Sequence, residues 1–174
     1  MAMLRQFSPR QEVYSIDECF LDFTGMQRDL VAYGHEIKET VMRWTGLHIC
    51  VGIGHSKTLA KLANHHAKKQ PAFHDVCDFT RMSPNQLDGV MKTLPVSSVW
   101  GIGRRLEASL KELGVENVLM SPGVNPWNWT TCDKEFKPPA WQVHTTALSV
   151  PDRLVALMHT GTTTWICPST HKPV

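Results

Sequence analysis

The run from His48 to Lys69 limits the fold of this chain more than any other feature. A β-rich stretch, His48 to Ile53, enters a turn at Gly54-His55-Ser56 and then a lysine-bearing helix predicted over Lys57 to Lys69. An earlier helix is predicted from about Arg28 to Thr45. There Leu30, Gly34, Ile37, Val41 and Trp44 share one stripe at helical spacing, and Gly46 stands where a left-handed glycine ends a helix. Before that, β-formers on both sides of Asp17-Glu18, between Glu12 and Phe23, predict a hairpin or two consecutive strands. Strands alternating with helices of this length fit an α/β or α+β layer, because each apolar face must be covered by another element.

The pattern changes at Pro71. Val76 to Phe79 reads as a short strand, and Ser83-Pro84 as the cap and first turn of a helix running to about Thr93. Leu106, Leu110 and Leu113 form a further helical stripe closed by Gly114. A boundary is placed near Thr80, giving a mixed α/β part over residues 1–80 and a small helical part over 81–120. Residues 121–174 are rich in Pro, Thr and Trp, and hold four of the six tryptophans. They show no sustained periodicity beyond a short stretch near Ala147 to Met158, so an irregular tail is expected.

The chain has 174 residues, 42% hydrophobic and 20% charged, which is enough apolar material for a modest core. Its net charge of +2 hides a local strip, since Val51 to Gln70 carries four lysines and no acid. Such a strip can meet phosphate, although a solvated helix face would look the same. Five widely spaced cysteines without a Cys-x-x-Cys fit reduced thiols in a cytoplasmic setting. No apolar run reaches the length of a membrane span, and the first residues are too short and polar for a signal peptide.

Three segments carry chemistry. Asp17 and Glu18, with Asp22 further on, offer hard oxygen ligands that suit Mg²⁺, although adjacent acids are also common in solvated turns. Gly52-Ile53-Gly54-His55-Ser56-Lys57-Thr58 lacks the second glycine of a Walker loop and the third of a dinucleotide fingerprint. It leaves a strand, a glycine turn and a helix start, readable as a phosphate site or as plain structure. Val99-Trp100-Gly101-Ile102-Gly103, followed by Arg104 and Arg105 at a helix start, has the helix–hairpin–helix pattern, whose glycines let the backbone approach DNA phosphates. The adjacent His65-His66 pair lacks a metal-binding spacing. Cys132, His144, His159, Cys167 and His171 match no standard zinc site.

Taken in order, these segments resemble the UmuC type of Y-family translesion DNA polymerase. The likeness rests on Tyr14 to Gly25, on Val51 to Lys69 and on Val99 to Arg105, and runs from about Phe7 to Val118. The resemblance implies a polymerase palm followed by a helix–hairpin–helix thumb, with DNA-templated nucleotidyl transfer using Mg²⁺. Asp17 and Glu18 would be two of three metal-binding carboxylates, with Glu18 nearest the primer 3′-hydroxyl. Lys68 would contact the incoming triphosphate. Gly101, Ile102, Gly103, Arg104 and Arg105 would hold the DNA backbone. Primer–template DNA is the implied partner, together with a UmuD-type subunit, a recombinase filament and a sliding clamp, although the clamp-binding region is not visible.

The sequence departs from that pattern in two places. The first palm strand, with the third carboxylate and the fingers behind it, is not seen ahead of Phe7, so an uncovered sheet edge is expected. After about Val118 the family pattern stops, and residues 121–174 read as out-of-frame translation or an unrelated fusion. The chain is therefore expected to be a fragment with little polymerase activity alone, with a weak DNA-binding module and a functionless remnant as the alternatives.

Overall fold

The computed structural model describes residues 1–119 and 154–159. Its centre is a five-stranded sheet in the order β1-β2-β5-β3-β4. Strands β1 (Gln11–Val13) and β2 (Glu18–Asp22) form the predicted antiparallel hairpin, paired from Gln11 opposite Leu21 to Val13 opposite Cys19. Strands β3 (Ile49–Gly54) and β4 (Val76–Asp78) run parallel. Helix α1 (Leu30–Thr45) covers one face of the sheet, and helix α2 (Lys57–Lys69) packs on β3.

The fifth strand corrects an expectation. Residues Leu154–His159, inside the segment expected to be irregular, form β5 between β2 and β3, antiparallel to both. Met158 lies opposite Glu18 on one side and Cys50 on the other. Both β2 and β3 are therefore paired on this side, and the outer strands among the described residues are β1 and β4. The run Leu-Val-Ala-Leu-Met-His is short and apolar, and periodicity alone cannot assign such a run to strand or helix. The rest of 121–174, including Cys132, His144, Cys167 and His171, lies outside the described residues.

Local chemistry explains the helices. Asp29 caps α1 by accepting from the Val31 and Ala32 N–H groups, and Gly46 closes it at φ +70°. The buried stripe of α1 is Leu30, Tyr33, Gly34, Ile37 and Val41. Trp44, predicted on that stripe, is exposed, because the stripe has turned away from the sheet in the last helical turn. Ser56 caps α2. Helix α3 (Pro84–Thr93) opens with a full capping box between Ser83 and Gln86. Helix α4 (Arg104–Glu112) buries Leu110 and leaves Leu113, predicted to share its stripe, exposed just past the helix end.

Contact between α2 and β3 is unusually close. A Cβ on Gly52 would fall 2.1 Å from the Asn64 backbone nitrogen and 2.2 Å from the Ala60 carbonyl oxygen. On Gly54 it would fall 2.7 Å from the Ala60 nitrogen. Both glycines lie within the strand, so their role here is to let the helix backbone lie against the sheet. Asn64 secures the contact, its side chain donating 2.7 Å to the Cys50 carbonyl.

The apolar residues divide into two main clusters. One joins Cys19, Leu21, Ile49, Val51, Ile53 and Val76 from the sheet, and Phe23 just after β2, to Ile37 and Val41 of α1. The other packs Leu62, Ala63, Ala67, Cys77 and Phe79 against Leu87, Met91, Val96, Val99, Ile102 and Leu110. Residues on both sides of Thr80 thus share one core. Cys19, Cys50 and Cys77 are free and buried, and burial pushes the Cys50 and Cys77 thiols up to about 12, which makes them poor nucleophiles. His66 is buried against Phe73 and Phe79, and His65 faces Ser98 Oγ at 3.3 Å. Burial holds both imidazoles below their usual range, and Lys69 and Lys68 lower His65 further.

Two outcomes follow from this packing. Gly52→Ala should destabilise the chain by about 3 kcal/mol, read as a lower urea midpoint, because the new methyl meets backbone that cannot swing aside. Acidification should also destabilise it. A histidine pKa depressed in the folded state gives stability that is complete above the unfolded value of 6.5 and declines as pH falls through that value. Urea midpoints measured between pH 8 and pH 5.5 should fall, and His66→Phe should remove part of the slope.

Candidate functional site

The β1–β2 turn, the middle of α2 and the glycine hairpin ahead of α4 meet at one place. The turn is closed by the Tyr14 and Ser15 N–H groups, both donating to the Glu18 carbonyl. Asp17, the last turn residue, is exposed and accepts 2.6 Å from the Ser15 hydroxyl. Glu18, the first residue of β2, is buried at 5% exposure. A buried carboxylate needs a charged partner, and α2 supplies one. The Lys61 ammonium lies 3.0 Å from Glu18 Oε1 and donates 3.1 Å to Oε2. The contact to Oε1 lacks hydrogen-bond alignment, so that buried oxygen has no hydrogen-bond donor.

Aromatic rings enclose the lysine. Its Nζ sits 4.6 Å from the Tyr14 ring centroid and 4.5 Å from that of Trp100. The two rings meet edge to face at 5.1 Å, and the Trp100 indole N–H donates 3.2 Å to the Tyr14 hydroxyl. Phe20, one pleat along β2 from Glu18, lies beneath both, with its centroid 6.2 Å from Tyr14 and 5.9 Å from Trp100. Lys57, one helical turn before Lys61, pairs with Glu12 at 2.7 Å.

The predicted site residues are only partly gathered. Lys68, expected beside Asp17 and Glu18, is exposed in the last turn of α2, and the lysine paired with Glu18 is Lys61. Seven residues separate the two, about 10 Å along the axis on the same helix face. Asp22 is engaged elsewhere, in an ion pair with Arg10 and a hydrogen bond from the Thr24 N–H. Sequence reasoning missed Lys61, Tyr14 and Trp100. The four-residue step from Lys57 to Lys61 was a visible signal, but nothing local shows which lysine of a helix meets a distant strand.

In the hairpin, Gly101 adopts φ +93°, a conformation that favours glycine. Gly103 is the N-cap of α4, has no side-chain cap, and has open space where a Cβ would stand. Gly101, Gly103, Arg104 and Arg105 are exposed, whereas Ile102 is buried and anchors the hairpin in the second core. Exposed backbone N–H groups at a helix start flanked by two arginines can accept an anion. A separate cleft of about 390 Å³ lies near the start of α1, lined by Arg28, Asp29, Leu30, Asp78, Thr80 and Arg81. It includes none of the residues above.

Among the described residues, no group of three or more His, Cys, Asp or Glu is placed to hold a metal ion. Two hard carboxylates, Asp17 and Glu18, do stand next to each other in sequence. The undonated Glu18 Oε1 is an acceptor of the type that a divalent cation takes. Hard carboxylate oxygens of this kind are the donor type that Mg²⁺ takes. No helix among the described residues is long and apolar enough to cross a membrane.

Comparison with known proteins adds an independent line. The sequence model of the impB/mucB/samB family matches residues 1–65, and that of the IMS family HHH motif matches residues 84–115. The protein UmuC of Salmonella typhimurium is 42% identical over 130 residues, covering 73% of this chain and 30% of that protein. ImpB of Salmonella typhimurium is 39% identical over 72% of the chain and 30% of its own length. DNA polymerase IV of Moorella thermoacetica is 35% identical over 68% of the chain and 28% of its own length. The chain thus spans about 30% of the length of these curated relatives.

The ion pair can be tested by a double-mutant cycle. Lys61→Met leaves Glu18 buried and unpaired, and should cost roughly 3 kcal/mol in urea unfolding. Adding Glu18→Leu should recover most of that loss. Two single losses that simply add would show that the pair is not coupled.

Proposed function

Because the chain belongs to the impB/mucB/samB family of Y-family polymerases, we propose that Glu18, Asp17 and the glycine hairpin are parts of a site for DNA-templated nucleotidyl transfer in translesion synthesis. One observation carries the reading. A buried carboxylate with an undonated oxygen is paired with Lys61, whose ammonium also lies 4.5 Å from the ring of Trp100, the residue before the hairpin glycine Gly101, so that metal-ligand chemistry and backbone-binding chemistry are one side chain apart. In this reading β1, β2, β3, β4 and α1 with α2 form the palm, and residues 81–119 the thumb.

Each residue has a physical task. Asp17 and Glu18 would hold Mg²⁺, which when bound neutralises phosphate charge and eases ionisation of the primer 3′-hydroxyl. Glu18, fixed at the start of β2, is the rigid member of the pair. Asp17, in the turn, supplies the adaptable one. Lys68, exposed on the same face of α2 as Lys61, would contact the triphosphate. Gly101 and Gly103 admit the DNA backbone, with Arg104 and Arg105 beside its phosphates. A cytoplasmic setting with primer–template DNA as partner accords with this chemistry.

A second reading, a DNA-backbone-binding module without turnover, is favoured by the donor count. Two carboxylates fix cations poorly, and positioning accounts for much of the barrier in such transfers. Primer extension and fluorescence anisotropy on the full chain separate the two readings. The expected result is DNA binding that weakens steeply with salt, with feeble extension. Arg104→Ala with Arg105→Ala should reduce the salt slope by about 2. Robust extension abolished by Asp17→Ala would establish an active polymerase, and salt-indifferent binding would remove both readings.

A further inference from the structure

We infer that Lys61 is a resident counter-ion of Glu18 which a divalent cation must displace, and that the cage of Tyr14 and Trp100 sets how firmly it holds its place. The inference rests on the metal-binding reading of Glu18 and adds a competitor that reading does not contain.

The geometry is specific. The ammonium lies 3.0 Å and 3.1 Å from the two carboxylate oxygens, so it faces the same edge of the carboxylate that a cation would approach. A divalent ion on Glu18 would bring three positive charges together inside a site of low water content, where their repulsion is little screened. Lys61 therefore has to withdraw, or the ion binds weakly. Withdrawal is opposed by two ring faces within 4.6 Å of Nζ, since desolvated cation–π contacts are among the stronger ones. The Lys61 side chain is only 16% exposed, so the ammonium has given up much of its hydration to be there.

The walls of the cage come from different places. Tyr14 belongs to the β1–β2 turn and packs on Phe20. Trp100 belongs to the glycine hairpin and directly precedes Gly101, the residue at φ +93°. Any ligand that shifts the hairpin backbone at Gly101 moves one wall of the cage. Occupation of the hairpin by a phosphate backbone thereby loosens Lys61 and frees Glu18 for a cation. The two binding events favour each other, and by linkage the effect is reciprocal.

The test uses the full chain and Mn²⁺ alone, with free ion counted by electron paramagnetic resonance. Lys61→Met should tighten Mn²⁺ binding by about tenfold or more. Trp100→Leu, which removes the indole face but keeps an apolar side chain on the partly buried position against Phe20, should tighten it by roughly threefold. Thermal melts give a second readout. Mn²⁺ should raise the Tm of Lys61→Met more than that of the unaltered chain. Binding within twofold of the unaltered chain in both variants, or weaker, would overturn the inference. Glu18→Gln separates the layers. If it loses Mn²⁺ while Lys61→Met gains nothing, the counter-ion idea alone fails. If Glu18→Gln binds as before, the metal reading of Glu18 fails with it.

Discussion

The backbone of α2 rests on β3 with no side chain between them at Gly52 and Gly54, and the rest of the architecture depends on that contact. It fixes the height of the helix above the sheet. With the height set, Asn64 reaches the Cys50 carbonyl, Ala60 packs on Phe20, and Lys61 comes down on Glu18. A helix raised by the bulk of even one methyl would lengthen all three. The opposite flank of α2, through Leu62, Ala63 and Ala67, carries the second core and with it the hairpin. One helix thus sets the geometry of the carboxylate and the seat of the glycines.

Much of the fold was legible in the sequence because its signals are local. The Asp17-Glu18 hairpin, α1 with its Gly46 stop, α2 after Ser56 and the Ser83-Pro84 cap all follow from residues within a turn or two of each other. What escaped depends on contacts distant in sequence. Trp44 and Leu113 continue their stripes by spacing, yet they lie at or past the helix end, where the neighbouring surface has run out. β5 reads only as a brief apolar run, since nothing in six residues reports that β2 and β3 leave a gap of one strand.

The candidate site divides the same way. Asp17, Glu18 and the hairpin glycines were visible as motifs, and the structure links Glu18 to the hairpin through Lys61, which lies against both Glu18 and Trp100. The lysine paired with Glu18 was not visible. Lys61 and Lys68 share a helix face, and only the register of helix on sheet selects between them. The glycines of β3 also changed meaning. Spacing left them open between a phosphate turn and structure, whereas 2.1 Å of clearance at Gly52 shows a steric requirement.

The central place of β5 bears on how the molecule comes into being. β3 ends at Gly54 and β5 begins at Leu154. At a ribosomal pace of roughly 5–20 residues per second, β5 is synthesised about 5–20 s after β3, and later still after β2. During that interval β2 and β3 lack the strand that each pairs with in the finished sheet. Completion of the sheet is therefore a late, long-range closure, and the newborn chain passes through a stage in which a chaperone or another nascent chain could compete for the vacant lane.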